Sequence, residues 1–215
     1  IIENIENYDI FCIWSKKIKN KLENKFKNTN FFYLPFGYCK EKHLRSKKDI
    51  VRKKISFIGS YDKKRYELLK RINYRVDIYG NNWPIFEKHK NYKYVKNKVL
   101  SKIVAQSEIS LNILKKQNFN SHNMRAFEIP SMGGLMLSTR SDEQNIFFPE
   151  NKASFMFNDV QELNRKIEYI FNNPKISKKI RTKSYSLSKK HNYKERVKSL
   201  IRCINANKKY YNFWL

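Results

Sequence analysis

Short apolar runs return regularly along this chain, each followed by a stretch of helical periodicity, and that alternation leaves few folds open to it. ISFIGS (residues 55–60) reads as a buried strand closing in a glycine turn, and DKKRYELLKRI after it repeats Tyr66, Leu69 and Ile72 at helical spacing. VDIYG (76–80) is a second strand ending in glycine, and YKYV (92–95) a short third. VLSKIVAQ (99–106) is helical and ISLNIL (109–114) an apolar strand; LMLST (135–139) and ASFMF (153–157) follow as strands. DVQELNRKIEYIF (159–171) places Val160, Leu163, Ile167 and Ile170 on one stripe, with Asp159 and Glu162 spaced as a capping box. Continuously apolar strands of about five residues alternating with helices predict an α/β fold, a Rossmann-like parallel sheet with helices on both faces.

The start of the chain behaves differently. YDIFCIW, KKIKNKLENKF and FFYLPFG form one more strand–helix–strand unit, and KEKHLRSKKDIVRKK is a polar, basic connector. Residues 1–45 are therefore read as the tail of a preceding domain and 46–52 as a basic linker. Residues 53–200 are the Rossmann-like domain, and 201–215 a C-terminal helix and tail. The first residue is Ile, which leads to the expectation of a piece cut from a longer polypeptide.

Lys and Arg number 46 against 19 acids, a net charge of +27, in a chain rich in Lys, Asn, Ile and Tyr. Such a surface attracts anions, and three readings of it stay open here: composition alone, a nucleic-acid partner, or contact with an anionic membrane. No dense basic arm and no RNA-recognition or helix-turn-helix pattern supports the second. No run of roughly 18 apolar residues spans a membrane. Cys12, Cys39 and Cys203 lack CxxC spacing and the four His are scattered, so no metal site is expected. A reducing, cytoplasmic setting, at most at the inner face of the membrane, is the expectation.

Two stretches carry chemistry. Gly59-Ser60-Tyr61-Asp62 is a strand-to-helix turn with Lys63, Lys64 and Arg65 in the first helical turn. Three cations there are unfavourable by ~0.3–1 kcal/mol each, a cost that a bound diphosphate would reverse. The alternative is an exposed basic turn. The second stretch is SHNMRAFEIPSMGG (121–134), where Ser121 or Asn123 caps a helix starting near Met124. Arg125 and Glu128 share a face, the Arg reaching an anion and the Glu placed to accept two vicinal hydroxyls. Pro130 distorts this helix and Gly133-Gly134 end it. The alternative is a plain helix ion pair worth ~0.3–0.5 kcal/mol when exposed.

RAFEIPSMGGLMLST resembles the Arg-x-Phe-Glu-Ile-Pro-x-x-Gly-Gly signature of the CgeB-like (spore-maturation-like) glycosyltransferases, relatives of the retaining GT-B group. FFYLPFG, ISFIGSYDKKRYELLKRI, VDIYGNNW and SEISLNIL extend the likeness, as does HNYKERV, with Asn192 where the family has Thr. The resemblance implies that the chain is the donor-binding half of a GT-B enzyme taking a nucleoside-diphosphate sugar. The transfer it implies is retaining and independent of cofactor and metal. Glu128 would hold the ribose, while Asn120 stands where the related family has its first Glu, the contact to the donor sugar. Arg125, Gly59, Ser60 and Arg65 would face the diphosphate and stabilise the leaving group. Gly80, Trp83, Tyr94 and Val95 would lie toward the base, with Trp83 either core or stacking, and Ser121 and Asn123 would line the same mouth. Acceptor-side catalytic groups would lie upstream of Ile1, the acceptor being a glycan, lipid-linked group or protein. The aromatic tail with Phe213 and Trp214 would dock on the preceding domain.

Overall fold

The computed structural model describes residues 2–46, 50–118 and 120–205. A 3-10 turn (Ile2–Asn7) leads into β1 (Phe11–Ile13), α1 (Lys16–Lys25) and β2 (Phe31–Tyr33). The two strands pair in parallel, Phe11 opposite Phe31 and Ile13 opposite Tyr33, which is the strand–helix–strand unit expected from the sequence. Ser15 caps α1, its hydroxyl accepting from the Ile18 N–H at 3.4 Å.

The chain then forms β3 (Val51–Ile58), α2 (Lys63–Lys70), β4 (Val76–Tyr79), β5 (Lys90–Tyr92), α3 (Asn97–Gln106) and β6 (Ser107–Asn112). It continues through α4 (Arg125–Ser131), β7 (Met136–Thr139), α5 (Asp142–Phe147), β8 (Phe155–Phe157), α6 (Val160–Asn172), α7 (Pro174–Ser188) and α8 (Tyr193–Asn205). Six strands make one parallel sheet in the order β5-β4-β3-β6-β7-β8. The sheet grows outward one way from β3, then returns to β3's other side, the doubly wound order.

Because successive strand side chains point to opposite faces, two cores are built at once. Ile55, Phe57, Ile78, Ile109, Leu111, Leu135 and Leu137 face α2 and α6, meeting Leu69, Leu163, Ile167 and Ile170. Ile58, Tyr79 and Met136 face the other way, against Leu100 and Val104 of α3 and Ala126, Phe127 and Ile129 of α4. Burial on both faces is what makes these strands continuously apolar. The α6 stripe is buried as expected; Asp159 accepts from the Glu162 N–H at 2.8 Å, while Glu162 reaches back to the Asn158 N–H rather than to Asp159.

Three boundaries differ from the sequence reading. The strand placed at 55–60 begins at Val51, inside the stretch read as linker. There Arg52 pairs with Glu108, and Lys53, at φ 57°, gives its N–H to the same carboxylate at 2.6 Å. The same grip starts β6 at Ser107 instead of Ile109. The third strand covers Lys90–Tyr92, not 92–95, because Tyr92 stacks on Tyr79 across the sheet with ring centroids 4.6 Å apart. α5 and α7 carry no clear apolar stripe, so periodicity does not reveal them. Residues 201–205 finish α8, whereas Phe213 and Trp214 lie outside the described residues. Among the described residues no helix is long and apolar enough to cross a membrane.

Candidate functional site

In a doubly wound sheet the crevice for a ligand opens where neighbouring strands send their connections to opposite sides. Here that point lies between β3 and β6, whose C-terminal ends are Ile58 and Asn112. The glycine turns expected from the sequence border it. Gly59 gives its N–H to the Tyr79 carbonyl (3.0 Å), and Gly80 gives its own to Tyr92 (3.1 Å). The two turns touch: a Cβ on Gly80 would overlap the Gly59 carbonyl oxygen and come within 2.9 Å of Trp83 Nε1. Trp83 donates to that same Gly59 carbonyl at 2.8 Å and packs edge-on against Phe57 and Tyr61. Its indole thus buttresses the turn, the packing alternative of the two. Tyr94 is exposed and Val95 half-buried, both following β5, two strands from the crevice.

The first turn of α2 is organised differently from the expectation of an open anion site. Asp62 caps it, accepting from the Lys64 and Arg65 N–H groups at 3.1 and 3.2 Å. A carboxylate already fills the mouth where a phosphate was expected, and offsets the three cations behind it. Arg65 turns inward. Its Nε and one terminal nitrogen donate to the Ile113 carbonyl (2.9 and 2.6 Å), and the other to the Ser60 carbonyl (3.3 Å). The guanidinium therefore bridges the ends of β3 and β6 across the crevice floor. Burial lowers its pKa to about 10, with Asp62 opposing and Arg125 adding to the shift, so it remains charged at neutral pH.

The far wall is the segment after β6. Asn123, not Ser121, caps α4: its side-chain oxygen accepts from the Ala126 N–H at 3.1 Å, while its amide donates to Asn112 at 2.9 Å. Ser121 points away, donating to Glu143 at 2.9 Å. Asn120, at φ 59°, donates to the Asp142 carboxylate (2.9 Å) and accepts from the Asp142 N–H (3.1 Å). Arg125 stands at the start of α4, its Nε 3.4 Å from the Ile58 carbonyl, and pairs with Glu128 one turn on. Glu128 is 7% exposed. Its other oxygen lies 3.5 Å from Nε2 of His43, a residue that no motif or spacing connects with it. His43 accepts the Cys39 N–H at Nδ1 (3.2 Å), which leaves the proton on Nε2, toward Glu128. Gly133, at φ +81°, ends α4 in the left-handed region.

Arg65, Arg125 and Glu128 thus converge on one crevice with Gly59 and Ser60. Gly80 and Trp83 support its rim, and Ser121 serves the layer beneath. Behind α4, His191 is packed among Phe127, Phe147 and Phe148 and accepts from Arg196 at 3.0 Å. Arg196 also donates to the Pro35 and Phe36 carbonyls, both at 3.1 Å. The HNYKERV stretch therefore fastens the crossing segment 35–38, and burial first, then the nearby Glu128 charge, raises the pKa of its Tyr193. Among the described residues no group of three or more His, Cys, Asp or Glu is placed to hold a metal ion.

Residues 63–202, well over half of the chain, match the model of a family described as glycosyl transferase-like. The chain belongs to this family. No curated protein matches its sequence. Among solved structures this transferase-like chain is similar to a mutant of S. aureus TarM in complex with fondaparinux, alpha-GlcNAc-glycerol and UDP. The identity is 14% and the TM-score 0.76, over 95% of this chain and 45% of TarM. It is also similar to the pneumococcal O-GlcNAc transferase GtfA in complex with UDP and GlcNAc, at 13% identity and TM-score 0.72 over 96% and 46% of the two chains. A third is Anabaena Alr3699/HepE in complex with UDP-glucose, at 9% identity and TM-score 0.72 over 92% and 64%. At such identities the likeness is one of fold, that of GT-B glycosyltransferases. The chain spans about half the length of the first two.

Proposed function

We propose that this chain is the donor-binding half of a GT-B glycosyltransferase of the CgeB-like subtype, taking a nucleoside-diphosphate sugar. The observation that carries the reading is the convergence of two arginines and a buried carboxylate at the β3/β6 switch point. Arg65 holds the two strand ends together and supplies fixed positive charge beneath the crevice. Arg125 is the more exposed partner and meets the diphosphate. Glu128, oriented by Arg125 and His43, still has lone pairs to accept the two ribose hydroxyls, since a carboxylate offers about four acceptor directions. A departing nucleoside diphosphate develops negative charge, and preorganised cations stabilise it without a metal. Retention of configuration and metal independence are part of the proposal, as is the division of the chain into an acceptor-side tail to residue 45, a basic linker, and a donor domain whose sheet begins at Val51 and whose helix α8 runs to Asn205. Asn120, engaged by Asp142, replaces the related family's carboxylate at the donor sugar.

The test is thermal unfolding with UDP, GDP and ADP at physiological salt, beside a short oligonucleotide. A ligand at about 100 times its Kd adds roughly 2.7 kcal/mol. One nucleotide should raise Tm, and Glu128→Ala should remove that rise while the variant keeps its fold. A rise with the oligonucleotide alone, erased by added salt, would overturn the donor reading and leave charge as the explanation.

A further inference from the structure

One buried constellation lies in the layer behind the site just described. Glu143, in the first turn of α5, is 5% exposed, yet its carboxylate is surrounded by donors from three separate segments. One oxygen accepts the Lys16 N–H at 2.6 Å, the first N–H of α1, and lies 3.4 Å from the Ser15 hydroxyl. The other accepts the Tyr33 hydroxyl at 3.2 Å and the Ser121 hydroxyl at 2.9 Å. It also lies 3.2 Å from Nδ1 of His122. The His122 ring is fully buried, and its Nε2 accepts the Phe36 N–H at 3.1 Å, so the proton sits on Nδ1 and points at Glu143.

A carboxylate taken out of water is costly unless its lone pairs are filled. Burial raises the Glu143 pKa, but the hydrogen bonds from His122, Ser121 and the Lys16 N–H bring the balance below the usual value. The group is therefore an ionised anchor in a fully occupied shell. Its partners divide in two. Ser15, Lys16 and Tyr33 belong to the β1–α1–β2 unit; Ser121 and His122 begin the loop whose next residue, Asn123, caps α4 and so sets Arg125 and Glu128.

We propose that Glu143 is a positioning residue that couples the β1–α1–β2 unit to the donor crevice, holding the loop 121–123 in the geometry that presents Arg125 and Glu128. The inference rests on the donor-site reading. Buried hydrogen-bond shells of this kind have few alternative arrangements, so tightening the loop at one end restrains the donors at the other. A nucleotide held by Arg125 and Glu128 then stiffens the first turn of α1, to which it makes no contact.

Hydrogen exchange on the whole 215-residue chain tests this, with whichever of UDP, GDP and ADP raises the Tm of the unmodified protein. Saturating nucleotide should slow exchange several-fold at the amides of residues 16–19 as well as at 121–128. Glu143→Gln puts an amide donor against the His122 and Ser121 donors. It should weaken nucleotide binding about 10-fold and abolish the response at 16–19. Tyr33→Phe, which removes one donor and leaves the carboxylate well satisfied, covers the case in which Glu143→Gln fails to fold. It should weaken binding about 3-fold and reduce the response, with β3, β6 and β7 as protected as before. If the nucleotide binds, protects 121–128 and leaves 16–19 unchanged, the coupling is refuted and the donor site stands. If none of the three nucleotides binds, both readings fall.

Discussion

Acidification to pH 4.5 should destabilise this protein largely through one ring. His191 lies against Phe127, Phe147 and Phe148 at centroid distances of 5.4, 5.2 and 5.8 Å. Its Nδ1 stands 3.0 Å from an Arg196 nitrogen, and an arginine can only donate, so Nδ1 must remain an unprotonated acceptor. Burial first, then the charges of Arg196, Lys190 and His122, lower its pKa to about 3. In the unfolded chain the ring titrates near ~6.5. Between those values the unfolded chain takes up a proton that the folded chain refuses. The stability from a neutral, packed His191 is therefore complete above pH ~6.5 and declines as pH falls toward 3. Each unit in that window costs about 1.4 kcal/mol, so a drop to pH 4.5 removes about 2.7 kcal/mol. That is a large part of the roughly 5–15 kcal/mol by which domains are stable. His43, His89 and His122 are shifted in the same direction, each chiefly by burial, and add to the slope. Glu143 and Glu150, held below the usual carboxylate range, lose their contribution only as pH falls below about 4.5. Urea unfolding followed by circular dichroism at pH 6.5, 5.5 and 4.5 measures the slope. His191→Gln keeps an acceptor for Arg196 without a titrating ring and should flatten the slope by about 1.4 kcal/mol per unit. Equal slopes for both proteins would refute the assignment.

Two substitutions probe the rim. Gly80→Ala drives a methyl into the Gly59 carbonyl and against Trp83 Nε1, and should destabilise by about 1–3 kcal/mol. It should also weaken nucleotide binding, because the two turns must separate; unchanged Tm and affinity would show that they are not packed as described. Asp62→Ala removes the cap from α2 and should lower stability by about 1 kcal/mol, read by denaturant midpoint. It should leave nucleotide affinity unchanged or slightly higher, since the proposed diphosphate contact is Arg125 and not this helix mouth. A marked loss of affinity would return the diphosphate to α2.

Whatever depends on neighbours along the chain can be read from the residues alone. The parallel α/β class, the glycine turns, the α6 stripe and the Arg125–Glu128 pair were legible because periodicity and turn chemistry are local. Asn123 and Ser121 could not be told apart as caps, since both stand close to the helix start. The choice was made by Glu143, which lies 22 residues further on and claims the Ser121 hydroxyl. Asp62, by contrast, was in plain view beside Lys63 and Lys64, and its capping role was locally readable. Where Arg65 points is set by a long-range contact, because its acceptor, the Ile113 carbonyl, is 48 residues away. The same holds for His43 beside Glu128, for Tyr33 with Glu143 across 110 residues, and for Arg196 with Pro35 across 161. Such contacts leave no spacing in the sequence, since a donor and a carbonyl meet wherever the sheet order brings their segments together. The crevice itself is of this kind: β3 and β6 become neighbours only because the sheet reverses its growth between them.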